Sequence, residues 1–177
     1  DSDGCAFDTM EIKHKECFCP RFVDRFRCQA VSKYARETWE FVNLYSKWRR
    51  TNRWEALARA LNLLRERPEA RRRGAMIADP APIEAFVRSG ATLSNEGLRE
   101  FIAACGDAGM RIALQEALDW SIAVNDAIER MVHDIPPFPC LREALETAKD
   151  RADMLVVSQT PTDALEREWR EHGLDRF

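Results

Sequence analysis

Asp1 and Asp3 stand two residues apart, with Gly4 directly behind them, in the run Asp1-Ser2-Asp3-Gly4-Cys5-Ala6-Phe7-Asp8-Thr9. On a chain leaving a strand, carboxylates at i and i+2 project to one side and Ser2 to the other. Gly4 then lets the backbone turn sharply without a Cβ penalty. Such a pair can divide labour. One carboxylate attacks an electrophile and ligates a metal, while the other moves protons. The predicted place for it is the C-terminal end of a strand, where open α/β sheets bind their ligands. Taken alone, a D-x-D pair is more often a solvated turn, and Asp8 reads more simply as a helix cap than as a catalyst.

The elements that would position this pair follow from the spacing of apolar residues. Asp8-Thr9-Met10-Glu11 has the form of a helix start, with Asp8 as cap and Glu11 three residues on. From Pro20 to Val132 the pattern is helical. Ala35, Trp39, Val42, Tyr45 and Trp48 form one stripe, and Leu57, Ala60, Leu61 and Leu64 another behind the capping pair Asn52 and Glu55. Asp79-Pro80 and Ser94 read as further helix starts, and Leu114, Leu118, Ser121, Ile128 and Met131 mark one long helix. These stripes predict a helical bundle.

Three prolines in 135–139 then forbid helix and predict a stiff connector. A helix with Leu141, Leu145 and Ala148 follows. Met154-Leu155-Val156-Val157, ending in Ser158, reads as a buried strand. Thr160-Pro161-Thr162-Asp163 opens a last helix that carries Leu165 and Trp169 and stops near Gly173. Alternation of strand and helix predicts an α/β fold with a parallel sheet.

Bulk properties narrow the function. A formal net charge of -3 gives no reason to expect nucleic-acid or general membrane binding. No apolar run approaches the roughly 20 residues of a membrane helix, and no signal peptide is evident. Six cysteines at irregular spacing read as reduced thiols of a cytoplasmic protein. His14, Cys17, Cys19 and Cys28 fit no common zinc spacing.

Three segments together carry a resemblance. Residues 1–9 resemble the first motif of the haloacid dehalogenase superfamily, D-x-D-G-T/V-hydrophobic-x-D-S/T. Pro137-Phe138-Pro139-Cys140-Leu141-Arg142-Glu143-Ala144-Leu145 resembles the segment that returns from that family's helical cap. Leu155-Val156-Val157-Ser158 resembles its second motif. The resemblance implies a Rossmann-like α/β core with an incomplete parallel sheet, divided as core at 1–13, helical cap at 14–133 and core at 134–177. Cys5 and Cys140 stand where Thr or Val and Gly are usual. No Lys follows Lys149, so the family's third motif is lacking, as is its fourth, an acid pair. The chain therefore reads as part of a longer enzyme.

The chemistry implied is Mg²⁺-dependent phosphoryl transfer resembling that of phosphoglycolate phosphatase-like members. Asp1 would attack phosphorus, and Asp3 would carry the proton. Asp1 and the Asp3 carbonyl would hold Mg²⁺. Ser158, Gln159 and the backbone N–H groups of Gly4 and Cys5 would hold the phosphoryl oxygens. The partner expected is a small phosphorylated metabolite. Phosphoglucomutase-, phosphonatase- or dehalogenase-like chemistry, and a non-catalytic helical binding module, stand as alternatives. Lys13, His14 and Lys15 read either as cleft residues or as a solvated linker. Arg49, Arg50 and Arg53 read either as an anion-recognition set or as a charged helical face.

Overall fold

Ten α-helices account for most of the computed structural model, which describes residues 1–158, 160 and 162–177. α1 (Met10–Ile12), a π-helical segment (Lys13–Phe18) and α2 (Cys19–Arg25) run on without a break. α3 (Ser32–Glu40) passes into a second π-helical segment, Phe41–Tyr45. α4 (Arg53–Glu66), α5 (Pro68–Arg72), α6 (Ala81–Arg88), α7 (Asn95–Ala104) and α8 (Ala108–Met131) complete a bundle. α9 (Leu141–Ala148) and α10 (Thr162–Glu171) lie beyond the proline connector.

Helix starts follow local side-chain chemistry. Asn52 Oδ1 accepts from the Trp54 amide at 3.0 Å, and Ser94 Oγ from the Gly97 amide at 3.0 Å, each satisfying an N–H that the helix itself leaves unpaired. Asp107 does the same for α8. The predicted Asp8 cap is not used. Thr9 is the cap position of α1, and its hydroxyl donates to Asp3 instead of capping.

The main core is aromatic and lies inside the bundle. Trp39, Trp54 and Trp120 are fully buried, with Trp39 and Trp120 edge to face at 5.6 Å between centroids. Phe22 meets Trp39 at 5.2 Å. Such pairs add about 0.5–1.5 kcal/mol beyond their burial. Tyr45 and Met131, predicted on core stripes, are 60% and 46% exposed. A separate small cluster joins Ala6, Phe7 and Leu174 to Leu141, Leu145 and Trp169. It fastens the N-terminal turn to α9 and α10.

The predicted α/β core is not formed. The chain is 64% helical and, among the described residues, has no β-strand. Two isolated bridges remain, Asp3 with Phe7 and Phe7 with Pro137. The reason lies in pairing. A strand's amides and carbonyls need a neighbour, and among the described residues no segment pairs with 154–157. Leu155 is consequently 85% exposed and Val157 69%. Residues 2–7 close into a tight turn rather than continuing a strand. Cys140, where the family pattern prefers Gly, takes φ +67° just before α9, a left-handed conformation that favours Gly. No helix among the described residues is long and apolar enough to cross a membrane.

Candidate functional site

The N-terminal turn is built around one carbonyl. Ser2 O accepts from the amides of Cys5, Ala6 and Phe7 at 3.2, 2.9 and 3.1 Å, and the Gly4 amide donates to Phe7 O at 2.8 Å. Gly4 has φ +67°, and a Cβ there would come within 2.6 Å of Met10 Cγ and 2.8 Å of an Arg49 nitrogen. Only glycine fits. Ser2 is fully buried. Its hydroxyl donates to Glu168 Oε2 at 2.9 Å and accepts from the Trp169 indole at 3.1 Å. With Ser2 anchored to α10, Asp1 and Asp3 both open onto a cleft of about 800 Å³. The alternation expected of an extended pair is thus present, carried by a turn instead of a strand.

Asp3 is the electrostatic centre of the cleft. Its Oδ1 receives Thr9 Oγ1 and Lys13 Nζ, each at 2.5 Å, and its Oδ2 receives Thr160 Oγ1 at 3.0 Å. Lys13 also lies 3.7 Å from Glu168. Burial alone would raise the Asp3 carboxyl. The Lys13 charge and the hydrogen bonds from Lys13, Thr9 and Thr160 outweigh it and hold Asp3 below its ordinary value. Glu168 goes the other way: burial raises it, and Lys13 and Ser2 only partly offset that. Two acids sharing one ammonium are thereby pushed apart, Asp3 to the ionised side.

The remaining residues expected from the sequence distribute unevenly. Asp1 lies 3.7 Å from the Arg50 guanidinium. Ser158 lines the cleft and its Oγ accepts from the Thr160 amide at 3.2 Å. Gln159 lies outside the described residues. The Gly4 and Cys5 amides are spent inside the turn, so they do not form the oxygen cradle expected of them. In sequence Thr9 and Thr160 read only as parts of helix starts, because a lone hydroxyl carries no sign of the carboxylate it will meet.

The donors that could hold a metal are the Asp1 carboxylate, on a residue lining the cleft, and the Asp3 main-chain carbonyl, which accepts no hydrogen bond among the described residues. Mg²⁺ commonly takes one or two protein oxygens and completes its shell with water and substrate phosphate, and this donor set suits that habit. No group of three or more His, Cys, Asp or Glu among the described residues could hold a metal ion unaided.

Both π-helical segments supply cleft residues: Lys13, His14 and Phe18 from the first, Asn43 from the second. Lys15, by contrast, pairs with Glu11 at 2.7 Å away from the cleft. π-Helical turns often coincide with functional sites. His14 stacks on Phe18 at 4.8 Å, and its Nδ1 is buried with no hydrogen-bond partner. Burial, with Arg53, Lys13 and Arg49 adding and Asp3 opposing, pushes the imidazole down to about 4.

This gives a pH prediction. The unfolded chain binds a proton on His14 below about pH 6.5, which the folded protein refuses until about pH 4. Its contribution is complete above pH 6.5 and is lost as pH falls toward 4, by roughly 3 kcal/mol in full. Urea unfolding at pH 7 and pH 4.5 should show wild type losing about 2 kcal/mol more than His14→Gln. Equal losses would mean that His14 titrates normally.

No protein-family model, curated protein or solved structure matches this chain.

Proposed function

We propose that this chain is a phosphatase that hydrolyses a small phosphate monoester, with Mg²⁺, through an aspartyl-phosphate on Asp1. The observation that carries this reading is that Asp1 and Asp3 open onto one cleft while Ser2 between them is buried. The resemblance of residues 1–9, 137–145 and 155–158 to haloacid dehalogenase motifs supports it through residue types and order, independently of fold.

In this reading an Asp1 oxygen bonds to phosphorus as the bond to the leaving oxygen breaks. Asp3 gives that oxygen a proton, then removes one from the water that hydrolyses the aspartyl-phosphate and frees inorganic phosphate. Asp3 rests ionised, so it must first take a proton from solvent as the substrate arrives. An arriving phosphate dianion competes for the Lys13 ammonium and adds negative charge beside Asp3, and both effects raise the carboxyl. Lys13 and the Ser158 hydroxyl are the donors at hand for phosphoryl oxygens. Mg²⁺ at Asp1 and the Asp3 carbonyl would neutralise charge on the transferring group. A net charge of -3 suits a small-molecule substrate better than nucleic acid. Burial pushes the Cys19 and Cys28 thiols up to about 12 and 11, which keeps them protonated and unreactive.

A binding role for the helical bundle is the second reading, favoured by the loss of the Gly4 and Cys5 amides to the turn. Hydrolysis of p-nitrophenyl phosphate separates the two. It is measured on these 177 residues and on a chain extended to the natural ends of its reading frame. A phosphatase gives chelator-sensitive phosphate release from at least one of them. Absence of release from both favours the binding role.

A further inference from the structure

Five cations line the cleft, and four of them face an acid. Lys13 meets Asp3 at 2.5 Å, Arg50 meets Asp1 at 3.7 Å, Arg99 meets Glu96 at 2.7 Å and Arg167 meets Glu171 at 4.0 Å. Arg53, the first residue of α4, is the exception: no carboxylate among the described residues lies within 4.0 Å of it. Its position is nonetheless fixed. Nη1 donates to Ser121 Oγ at 2.8 Å and to Asn125 Oδ1 at 2.7 Å, and the guanidinium carbon lies 5.2 Å from the centroid of the Phe18 ring. Ser121 Oγ in turn donates to Asn95 Oδ1 at 2.6 Å, so the hydroxyl that accepts from Arg53 is itself oriented.

All of these bonds use one nitrogen. Nε and Nη2 make no hydrogen bond among the described residues, and together they form the planar edge that grips a carboxylate or phosphate bidentately. The surroundings add to the attraction. The first turns of α4 and α7 line the same wall, tied together by Asn52 Nδ2 donating to Leu93 O at 3.1 Å, and helix N-termini favour negative charge. A desolvated cation without a counter-charge is costly, and an anionic ligand removes that cost. Desolvation has already driven the Arg53 guanidinium down to about 10.

We infer that Arg53 is the centre of a second anion subsite, and that the cleft takes a small phosphate ester bearing a further anionic oxygen group, a carboxylate or a second phosphate. The inference rests on the phosphatase reading for which end of the ligand meets Asp1. The subsite itself does not depend on turnover.

Its test is a binding measurement. Three non-hydrolysable probes are titrated into the full chain by calorimetry: propylphosphonate, 3-phosphonopropionate and propane-1,3-bisphosphonate. One of the doubly anionic probes should bind the wild type at least about tenfold more tightly than propylphosphonate. Whichever does so identifies carboxylate or phosphate as the second group. Arg53→Gln should abolish that preference, and Arg53→Lys should keep only part of it, because an ammonium lacks the planar fork. Asp1→Asn should retain it. Equal affinity of all three probes for the wild type, or no binding of any, overturns the inference without recourse to a variant. So does a preference that survives Arg53→Gln. A preference without aryl phosphate hydrolysis leaves the subsite standing and removes the phosphatase reading, and hydrolysis without a preference does the reverse.

Discussion

Replacing Lys13 with Met is expected to cost about 3–5 kcal/mol of stability at pH 7. The Lys13 side chain is 8% exposed, and the carboxylates it serves, Asp3 and Glu168, are 20% and 12% exposed. Removing the ammonium leaves two partly buried acids without their shared counter-charge, with Thr9 and Thr160 hydroxyls as the remaining donors to Asp3. The penalty is the uncompensated charge rather than lost packing, since Met replaces most of the Lys stem. Asp3→Asn in the Lys13→Met background should therefore recover part of the loss, and a double-mutant cycle by urea unfolding reads the coupling. Because Asp3 is held below its ordinary 3.8, its contribution is complete above that pH and disappears only as pH falls through the lower folded value. A cost under about 1 kcal/mol would place Lys13–Asp3 among ordinary surface pairs.

Asp1→Asn is expected to lower kcat for aryl phosphate by about 10³-fold or more, equivalent to roughly 4 kcal/mol of barrier. An amide is too poor a nucleophile to form the phosphoryl intermediate, whereas binding of the rest of the substrate is retained. The fold should be indifferent to the change. The ion-pair partner of the Asp1 carboxylate is Arg50 at 3.7 Å, with both side chains substantially exposed, and such a pair contributes about 0–1 kcal/mol. Asp3→Asn contrasts with it. That substitution should reduce turnover and stability together, because Asp3 gathers three hydrogen bonds in a partly buried site. Steady-state kinetics alongside thermal unfolding separates the two patterns. Equal stability losses in both variants would deny Asp1 its special role.

The helical bundle was legible because its information is local. Trp39, Leu57, Leu61 and Leu114 recur at helical spacing and all are buried. Asn52 and Ser94 cap where their side chains predict. The strand expected at 154–157 does not form, because an apolar run describes a segment that fits a sheet, not the neighbour that must complete it. The two π-helical segments have no signature in residue type, so the placement of Asn43 in the cleft was hidden, while His14 read either as a cleft residue or as part of a solvated linker. Lys13 was ambiguous inside a Lys-His-Lys run, yet a signal was present. It shares a helical face with Met10 and Cys17, both buried, and that spacing predicts an ammonium drawn inward. Arg53 carried no such signal. Its lack of a counter-charge depends on where α8 sets Ser121 and Asn125.

The central claim is that Asp1 accepts the phosphoryl group, and trapping tests it most directly. The chain, in its extended form where only that form turns over, is mixed with aryl phosphate and Mg²⁺, quenched in acid, digested and mapped by mass spectrometry. The account predicts one phosphoryl group on Asp1, removed by hydroxylamine and absent from Asp1→Asn. Phosphate release with Asp1 never modified, or a phosphoryl group found on another side chain, would contradict it.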